Sequence, residues 1–138
     1  MLFRSRVALA ALGSDYFLEA FLASVRAGLV LVLVNWRWSL AEAGRALSIC
    51  SPKALVLDSA CVRFAALTDS VGSIKSLLGL GISWQAAMAD LPLAEELIRT
   101  KRCELCKSAS DIHQPAVICF TSGSTGEGWD PSFAPCGS

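Results

Sequence analysis

The chain has 138 residues, 54% hydrophobic and only 17% charged, and its twelve basic side chains balance twelve acidic ones. This length allows about one domain, and the neutral charge gives no reason to expect nucleic acid or an acidic partner. Because average globular domains are roughly 25% charged, we expect so apolar a chain to bury surface against further protein.

Neither a membrane span nor a secretory signal is predicted. The longest strongly apolar stretch, residues 29–34, is far shorter than the ~20 residues that a spanning helix needs. Arg4 and Arg6 precede a second apolar run, residues 7–12, as in a secretory leader, but this run is brief and Asp15 follows it.

The first part of the chain alternates strand-like and helix-like segments. Residues 7–12 predict a strand, Ser14 a helix N-cap with Asp15 in the first turn, and Gly28 the end of that helix. Residues spaced as one helix face are predicted to point inward. They are Phe17, Leu18, Phe21, Leu22 and Val25.

The same alternation continues along the chain. Residues 29–34 show no apolar–polar alternation, which indicates a strand covered on both faces. Ser39 and Glu42 have the spacing of a capping box that opens a second helix. Pro52 follows its end. The residues of this helix predicted to face inward are Leu40, Ala43, Leu47 and Cys50.

Further segments complete an α/β pattern. Residues 54–57 predict a strand, 59 to about 69 a third helix, and 74–80 another strand. The region 81–114 is less regular, with Pro92 as a possible helix start, and residues 116–120 form a last apolar strand. Strands separated by helices imply right-handed crossovers, hence a mostly parallel sheet with flanking helices.

The last predicted strand leads straight into a loop rich in glycine and hydroxyl groups. The loop consists of Thr121, Ser122, Gly123, Ser124, Thr125 and Gly126. Glycines allow tight turns, successive N–H groups can form an anion nest, and hydroxyls add donors. A plain surface loop is the alternative. It is no Walker A motif, because Trp129 and Asp130 stand where Lys and Ser/Thr are required.

Residues 121–126 resemble T-S-G-[ST]-T-G-x-P-K-G, a signature of the adenylate-forming superfamily (acyl-CoA synthetases, luciferases and peptide-synthetase adenylation domains). Glu127 takes the variable position. The match then ends, because Gly128, Trp129 and Asp130 replace the proline, lysine and glycine. A phosphate loop without its lysine is therefore implied.

The resemblance covers nearly the whole chain up to Glu127. Residues 27–39 are similar to the family's A-G-x-x-x-P-L-N-x-R-W-S pattern. Within the superfamily, residues 35–39, 54–58 and 117–120 resemble most closely the plant-type 2-succinylbenzoate–CoA ligases of naphthoquinone biosynthesis.

The resemblance implies a division of the chain into two parts. Residues 1–127 would be a partial AMP-binding domain, the incomplete N-terminal part of the large domain of an adenylate-forming enzyme. Residues 128–138 are a divergent tail that we expect to be disordered, since the segment is rich in glycine and proline and has no periodicity.

The family's chemistry joins a carboxylic acid to AMP, with release of pyrophosphate, and then transfers the acyl group to coenzyme A. ATP, Mg2+ and coenzyme A are thereby implied for the full-length enzyme. Residues 121–126 would hold the β- and γ-phosphates, where donors and Mg2+ offset crowded negative charge. No catalytic residue is assigned to this chain, and the expected location is intracellular, in a peroxisome or plastid.

Two hypotheses about function follow. The first is an N-terminal fragment of an acid–CoA ligase, from a truncated or mis-spliced gene model, with little or no activity. The second is a non-catalytic binding or regulatory module that pairs with a full-length relative. Loss of the motif after Glu127 favours the first. Either way, an exposed sheet edge predicts self-association.

Cysteines raise the alternative of a metal site. Cys103, Cys106, His113 and Cys119 would give four zinc ligands. We expect no such site, because Cys119 belongs to an apolar strand, where a small buried thiol is the ordinary outcome, and His113 lies in a loop. Free thiols are the expectation.

One aromatic cluster also admits two interpretations. Trp36, Arg37 and Trp38 could form a stacking platform for a base. We favour packing at the corner between strand and helix, with Arg37 donating to nearby carbonyls.

Overall fold

A computed structural model describes residues 5–81, 113 and 115–121. Among them, five strands form one sheet in the order β4-β3-β1-β2-β5, with every pairing parallel. The strands are β1 (Arg6–Ala10), β2 (Val30–Leu33), β3 (Ala54–Asp58), β4 (Ser76–Leu80) and β5 (Val117–Ile118). The predicted parallel α/β sheet is confirmed.

Helices cover both faces of this sheet. The helix α1 (Asp15–Arg26) connects β1 to β2, and α2 (Leu40–Cys50) then carries the chain back past β1 to β3. Because β2 lies on one side of β1 and β3 lies on the other, right-handed crossovers place α1 and α2 on opposite faces of the sheet. A 3-10 segment (Ser59–Ala66) and the short helix α3 (Leu67–Ser70) follow β3 and pack on the α2 face.

The side chains of the strands alternate between two cores. On the α2 face, Ala8, Val32 and Leu55 pack with buried residues of α2 and the 3-10 segment. On the α1 face, the buried residues are Leu9, Ala11, Leu31, Val56 and Leu80. Each central strand is therefore buried on both sides, as the unbroken apolar runs predict.

The helix ends are those that the sequence predicts. Ser14 Oγ accepts a hydrogen bond from the Phe17 N–H at 3.3 Å, and Gly28 follows α1 with a φ of 72°, a conformation that suits glycine. At α2, Ser39 and Glu42 form the complete capping box. Ser51 caps the end of α2 in the left-handed conformation.

Two predictions about inward-facing residues are wrong. Leu18 and Leu22 are each 56% exposed, because α1 rests on the sheet through Phe17, Ala20 and Phe21 instead. In α2, Leu40 is 43% exposed whereas Ala46 is buried. Ala20 packs against the α1-side core and Ala46 is buried, whereas Leu18, Leu22 and Leu40 lie at the flanks of their helices.

The helix predicted over residues 59 to about 69 is present, but it winds as a 3-10 helix over Ser59–Ala66 and is α-helical only at α3. Cys61, Phe64 and Leu67 are all buried. Their spacing of three residues matches the three residues per turn of a 3-10 helix, so this winding keeps all three on one face.

The last strand is shorter than the predicted 116–120. Only Val117 and Ile118 pair with β2, and Cys119 is exposed rather than buried. The pairing of β5 ends at Ile118, so Cys119 lies just beyond the sheet ladder. The predicted helix after Pro92 and the tail 128–138 lie outside the described residues. In the described part of the chain, no helix has the length and apolarity to cross a membrane.

Candidate phosphate site

The first residue of the predicted phosphate loop stands at the carboxyl edge of the sheet. Thr121 is exposed and follows β5 after Cys119 and Phe120. Parallel pairing of β5 with β2 brings this loop start beside the connection between β2 and α2, the edge at which open α/β sheets bind ligands. Ser122, Gly123, Ser124, Thr125 and Gly126 lie outside the described residues, so the anion nest stays a prediction.

An aromatic pair ties the loop start to the connection between β2 and α2. The rings of Trp38 and Phe120 meet edge to face, with centroids 5.3 Å apart and planes at 80°. Both half-buried side chains pack against the α2-side core. Since Phe120 directly precedes Thr121, this contact fixes where the loop leaves the sheet.

Arg63 holds the same connection from the 3-10 segment. Its guanidinium donates to the carbonyl oxygen of Trp36 and, at 3.0 Å, to that of Trp38, and it lies 4.8 Å from the ring centroid of buried Phe64. Arg63 thus satisfies two backbone acceptors that have no sheet partner.

The predicted roles of the aromatic cluster are confirmed in part. Trp38 packs into the corner between strand and helix, but Trp36 is 45% exposed. The carbonyls of this corner accept from Arg63 rather than from Arg37, whose guanidinium lies over the Trp36 ring at 5.0 Å. The role assigned to Arg37 is therefore wrong, because a cation 25 residues or more away in the chain takes it.

Asp58 joins the carboxyl ends of β1 and β3. One carboxylate oxygen accepts from the Leu12 N–H at 2.7 Å, and the other accepts from the Cys61 N–H at 3.0 Å. Sequence reasoning missed both Asp58 and Arg63 as supports of this edge. An aspartate directly before a predicted helix is an N-cap signal, whereas no local pattern marks Arg63.

A groove of about 250 Å³ opens beside Thr121. It lies between α2 and the end of β5, and its walls are mainly apolar. The lining residues are Trp38, Glu42, Arg45, Ala46, Ile49, Phe120 and Thr121. Hydrogen bonds from the Ser39 backbone and hydroxyl lower the pKa of Glu42, so this carboxylate is ionised at neutral pH. Arg45 is the cation of the groove.

The zinc alternative gains no support from the described residues, where no group of three or more His, Cys, Asp or Glu side chains could hold a metal ion. His113 is exposed in a turn, as predicted. Cys119 is exposed, which removes one argument against ligation. Cys103 and Cys106 lie outside the described residues, so the absence of zinc stays a prediction.

Two further thiols are buried. Burial, together with the carboxylate of Asp58, raises the pKa of Cys61 to about 12. Burial also raises the pKa of Cys50. Both groups are therefore neutral thiols at physiological pH and have no nucleophilic role.

The parallel sheet with helices on both faces defines an α/β class of fold. The sequence model of the AMP-binding enzyme family matches residues 3–127, and the chain belongs to this family. It is similar to the 2-succinylbenzoate–CoA ligase, chloroplastic/peroxisomal, of Arabidopsis thaliana, with 36% identity over 132 residues. That match covers 87% of this chain and 22% of the relative.

Solved structures show the same fold. The red-emitting luciferase of Phrixothrix hirtus gives a TM-score of 0.74 at 15% identity, over 88% of this chain and 31% of that one. The N-terminal domain of FACL13 from Mycobacterium tuberculosis gives 0.61 at 24% identity, over 89% and 29%. The chain thus spans less than a third of each relative.

Proposed function

We propose that this chain is the N-terminal part of an AMP-forming acid–CoA ligase whose acid is 2-succinylbenzoate, and that these 138 residues do not catalyse the reaction alone. The observation that carries the proposal is the family match up to residue 127, which ends in an intact T-S-G-S-T-G loop. The 36% identity to the Arabidopsis ligase supports the choice of acid. Its chloroplastic/peroxisomal name supports a plastid or peroxisome.

The proposed role of the loop is to hold the β- and γ-phosphates of ATP. The hydroxyls of Thr121, Ser122, Ser124 and Thr125 and the backbone N–H groups of residues 121–126 would supply donors. Mg2+, when bound to ATP, would add Lewis-acid stabilisation of the charge. The Trp38–Phe120 pair and Arg63 position the residue from which this loop departs.

Inactivity of the isolated chain rests on the end of the motif. Trp129 stands where the family signature has a lysine, so a full positive charge opposite the phosphates is missing. We take residues 1–127 as the ligase-derived unit and 128–138 as a segment without a part in the site.

A graft into the Arabidopsis ligase tests this proposal. Residues 1–127 replace the matching segment of that enzyme, and formation of the 2-succinylbenzoyl-CoA thioester is measured. We expect activity within about tenfold of the parent, because the loop and its supports are retained. A second graft with residues 1–130, which brings in Trp129, should lose at least about a hundredfold, the usual effect of removing one transition-state donor.

The isolated 138-residue chain is the control and should show no acid-dependent exchange between ATP and pyrophosphate. To test the proposed acid, a parallel assay of the grafts replaces 2-succinylbenzoate by benzoate. A dead first graft that is folded by circular dichroism would contradict ligase ancestry of the site, and exchange by the isolated chain would contradict its inactivity.

A further inference from the structure

The outer side of α1 exposes an apolar stripe on which none of the described residues packs. Leu18 and Leu22 are each 56% exposed and lie one helical turn apart. The inner side of the helix already contacts the sheet through Phe17, Ala20 and Phe21. Nevertheless, α1 contains no buried residue, so half of an amphipathic helix is available for another surface.

Charged residues flank this stripe in a particular order. Asp15 lies at the first position of α1, Glu19 lies near the middle, and Arg26 lies at the last position. At 100° per residue, all three fall on the same outer side as Leu18 and Leu22. All are exposed, and none forms an ion pair within the part of the chain that the structure describes.

We propose that this stripe is the interface with a second copy of the chain, through an antiparallel α1–α1 pair on a two-fold axis. Such an axis between residues 20 and 21 puts Asp15 opposite Arg26 of the partner subunit, and the symmetry makes this contact twice. Leu18 and Leu22 fill the centre, and Glu19 beside them lies one helical turn from the partner's Arg26. The start of each helix then adjoins the end of the other, which their dipoles also favour.

The α1 stripe is a better site for self-association than the groove beside Thr121. In that groove the acidic residue, Glu42, already accepts from Ser39 in the capping box. The α1 stripe carries acid in its first half, at Asp15 and Glu19, and base at its end, at Arg26, so its charges pair with those of a second copy only in the antiparallel orientation. Two single-helix faces bury less than the ~1,200 Å² of a stable interface, so the dimer is weak and concentration-dependent.

Sedimentation equilibrium of the whole 138-residue chain tests the interface, at concentrations from about 10 μM to about 1 mM, a range that brackets a weak dimer. We expect a monomer–dimer equilibrium that Leu22→Glu abolishes. The matched control is Ile49→Glu, since Ile49 is a 49% exposed side chain on α2, and it should leave the equilibrium unchanged. A monomer throughout, or equal effects of the two variants, would overturn the proposal.

A charge swap tests the orientation. Asp15→Arg and Arg26→Asp should each weaken the dimer about tenfold or more, because each turns two attractions into repulsions. The double variant restores the pairs with reversed sign and should recover most of the affinity, with helix content compared by circular dichroism. Failure of the double variant to recover affinity despite unchanged helix content, or aggregation that Leu22→Glu does not reduce, would overturn the antiparallel dimer.

Discussion

Trp38 and Phe120 meet edge to face with ring centroids 5.3 Å apart, although 81 residues separate them in the chain. The contact joins the start of α2 to the end of β5, the strand that leads into the predicted phosphate loop. β5 itself pairs with β2 through only two residues. Side-chain packing must therefore supply much of what holds the loop start in place.

Removing this contact should destabilise the fold. We expect Trp38→Ala to lower the free energy of unfolding by about 2 kcal/mol, less than for a fully buried tryptophan because Trp38 is half-buried. A double-mutant cycle with Phe120→Leu should give a coupling of about 1 kcal/mol. Urea unfolding followed by circular dichroism measures both.

The matched control for that experiment is the other tryptophan of the connection. Trp36 is 45% exposed and its ring contacts Arg37, so Trp36→Ala should cost less than about 1 kcal/mol and show no coupling to Phe120. Equal costs at positions 36 and 38 would mean that the edge-to-face pair does not anchor the loop start.

The capping box of α2 should make stability depend on pH in the acidic range. The pKa of Glu42 is lowered from the ordinary 4.5 by hydrogen bonds from Ser39. Because the folded pKa lies below the unfolded one, the ionised carboxylate stabilises the fold above about pH 4.5, and this contribution is lost as pH falls through the lowered value. Glu42→Gln should flatten the acid limb of a stability–pH curve.

Ser39→Ala tests the other half of the same box. It removes the acceptor for the Glu42 N–H, seen at 3.2 Å, and should cost about 1 kcal/mol at neutral pH. Ser48→Ala is the control, because the Ser48 hydroxyl donates to the Gly44 carbonyl within α2 and takes no part in the capping box. An acid limb that neither Glu42→Gln nor Ser39→Ala alters would show that the box contributes nothing.

The cysteines should differ sharply in their reaction with alkylating reagents. At pH 8 in the folded chain, exposed Cys119 should react quickly, whereas Cys50 and Cys61 should be protected by burial and by their raised pKa values. For Cys61, the neutral thiol supports the fold below the ordinary pKa of 9.0, and this support is lost as pH rises toward about 12. Peptide-level mass spectrometry measures each rate, with urea-unfolded chain as the control.

Zinc should not bind. If Cys103, Cys106, His113 and Cys119 were ligands, the chain would hold about one equivalent of metal and lose structure with a chelator. We expect neither result. Because Cys119 is exposed, a weak contact with substoichiometric zinc is the most that elemental analysis should detect. Stoichiometric zinc that disappears in Cys103→Ser but persists in Cys50→Ser would prove this prediction wrong.

The sequence predicts the parts of the fold that depend on local physics. Unbroken apolar runs mark the buried strands, and Ser14, Ser39 and Gly28 mark helix ends, because capping and glycine conformations involve neighbours only. The family signature predicts where the phosphate loop should start. The strands and helix ends appear in the described residues, with strand ends displaced by one or two residues, whereas the phosphate loop stays a prediction.

Features set by distant contacts could not be predicted. Leu18 and Phe21 are equally apolar, and which of them reaches the sheet depends on how closely Ala20 lets α1 approach. Arg63 and Arg37 are equivalent cations in the sequence, but only the fold brings Arg63 beside the carbonyls of Trp36 and Trp38. Burial of Cys119 failed as a prediction because the strand pairing ends at Ile118, one residue before it.

ATP binding by the unaltered chain is expected to be undetectable below millimolar concentration. The loop keeps its hydroxyls and glycines, but Glu127 and Asp130 add carboxylates and Trp129 removes the signature lysine. At ~5–6 Å an extra carboxylate disfavours a polyphosphate by about 1 kcal/mol or less in water, and the lost lysine forfeits a similar attraction. Isothermal titration calorimetry with Mg-ATP measures the affinity.

Restoring the family pattern should help only slightly. We expect the variant Gly128→Pro, Trp129→Lys and Asp130→Gly to bind ATP at most about tenfold more tightly, because ordering the loop still costs backbone entropy. Thr121→Ala in the restored chain should cancel the gain if the loop is the binding site. Micromolar affinity in the unaltered chain, or a gain that Thr121→Ala and Ser124→Ala leave untouched, would show that phosphate binding does not depend on this loop as proposed.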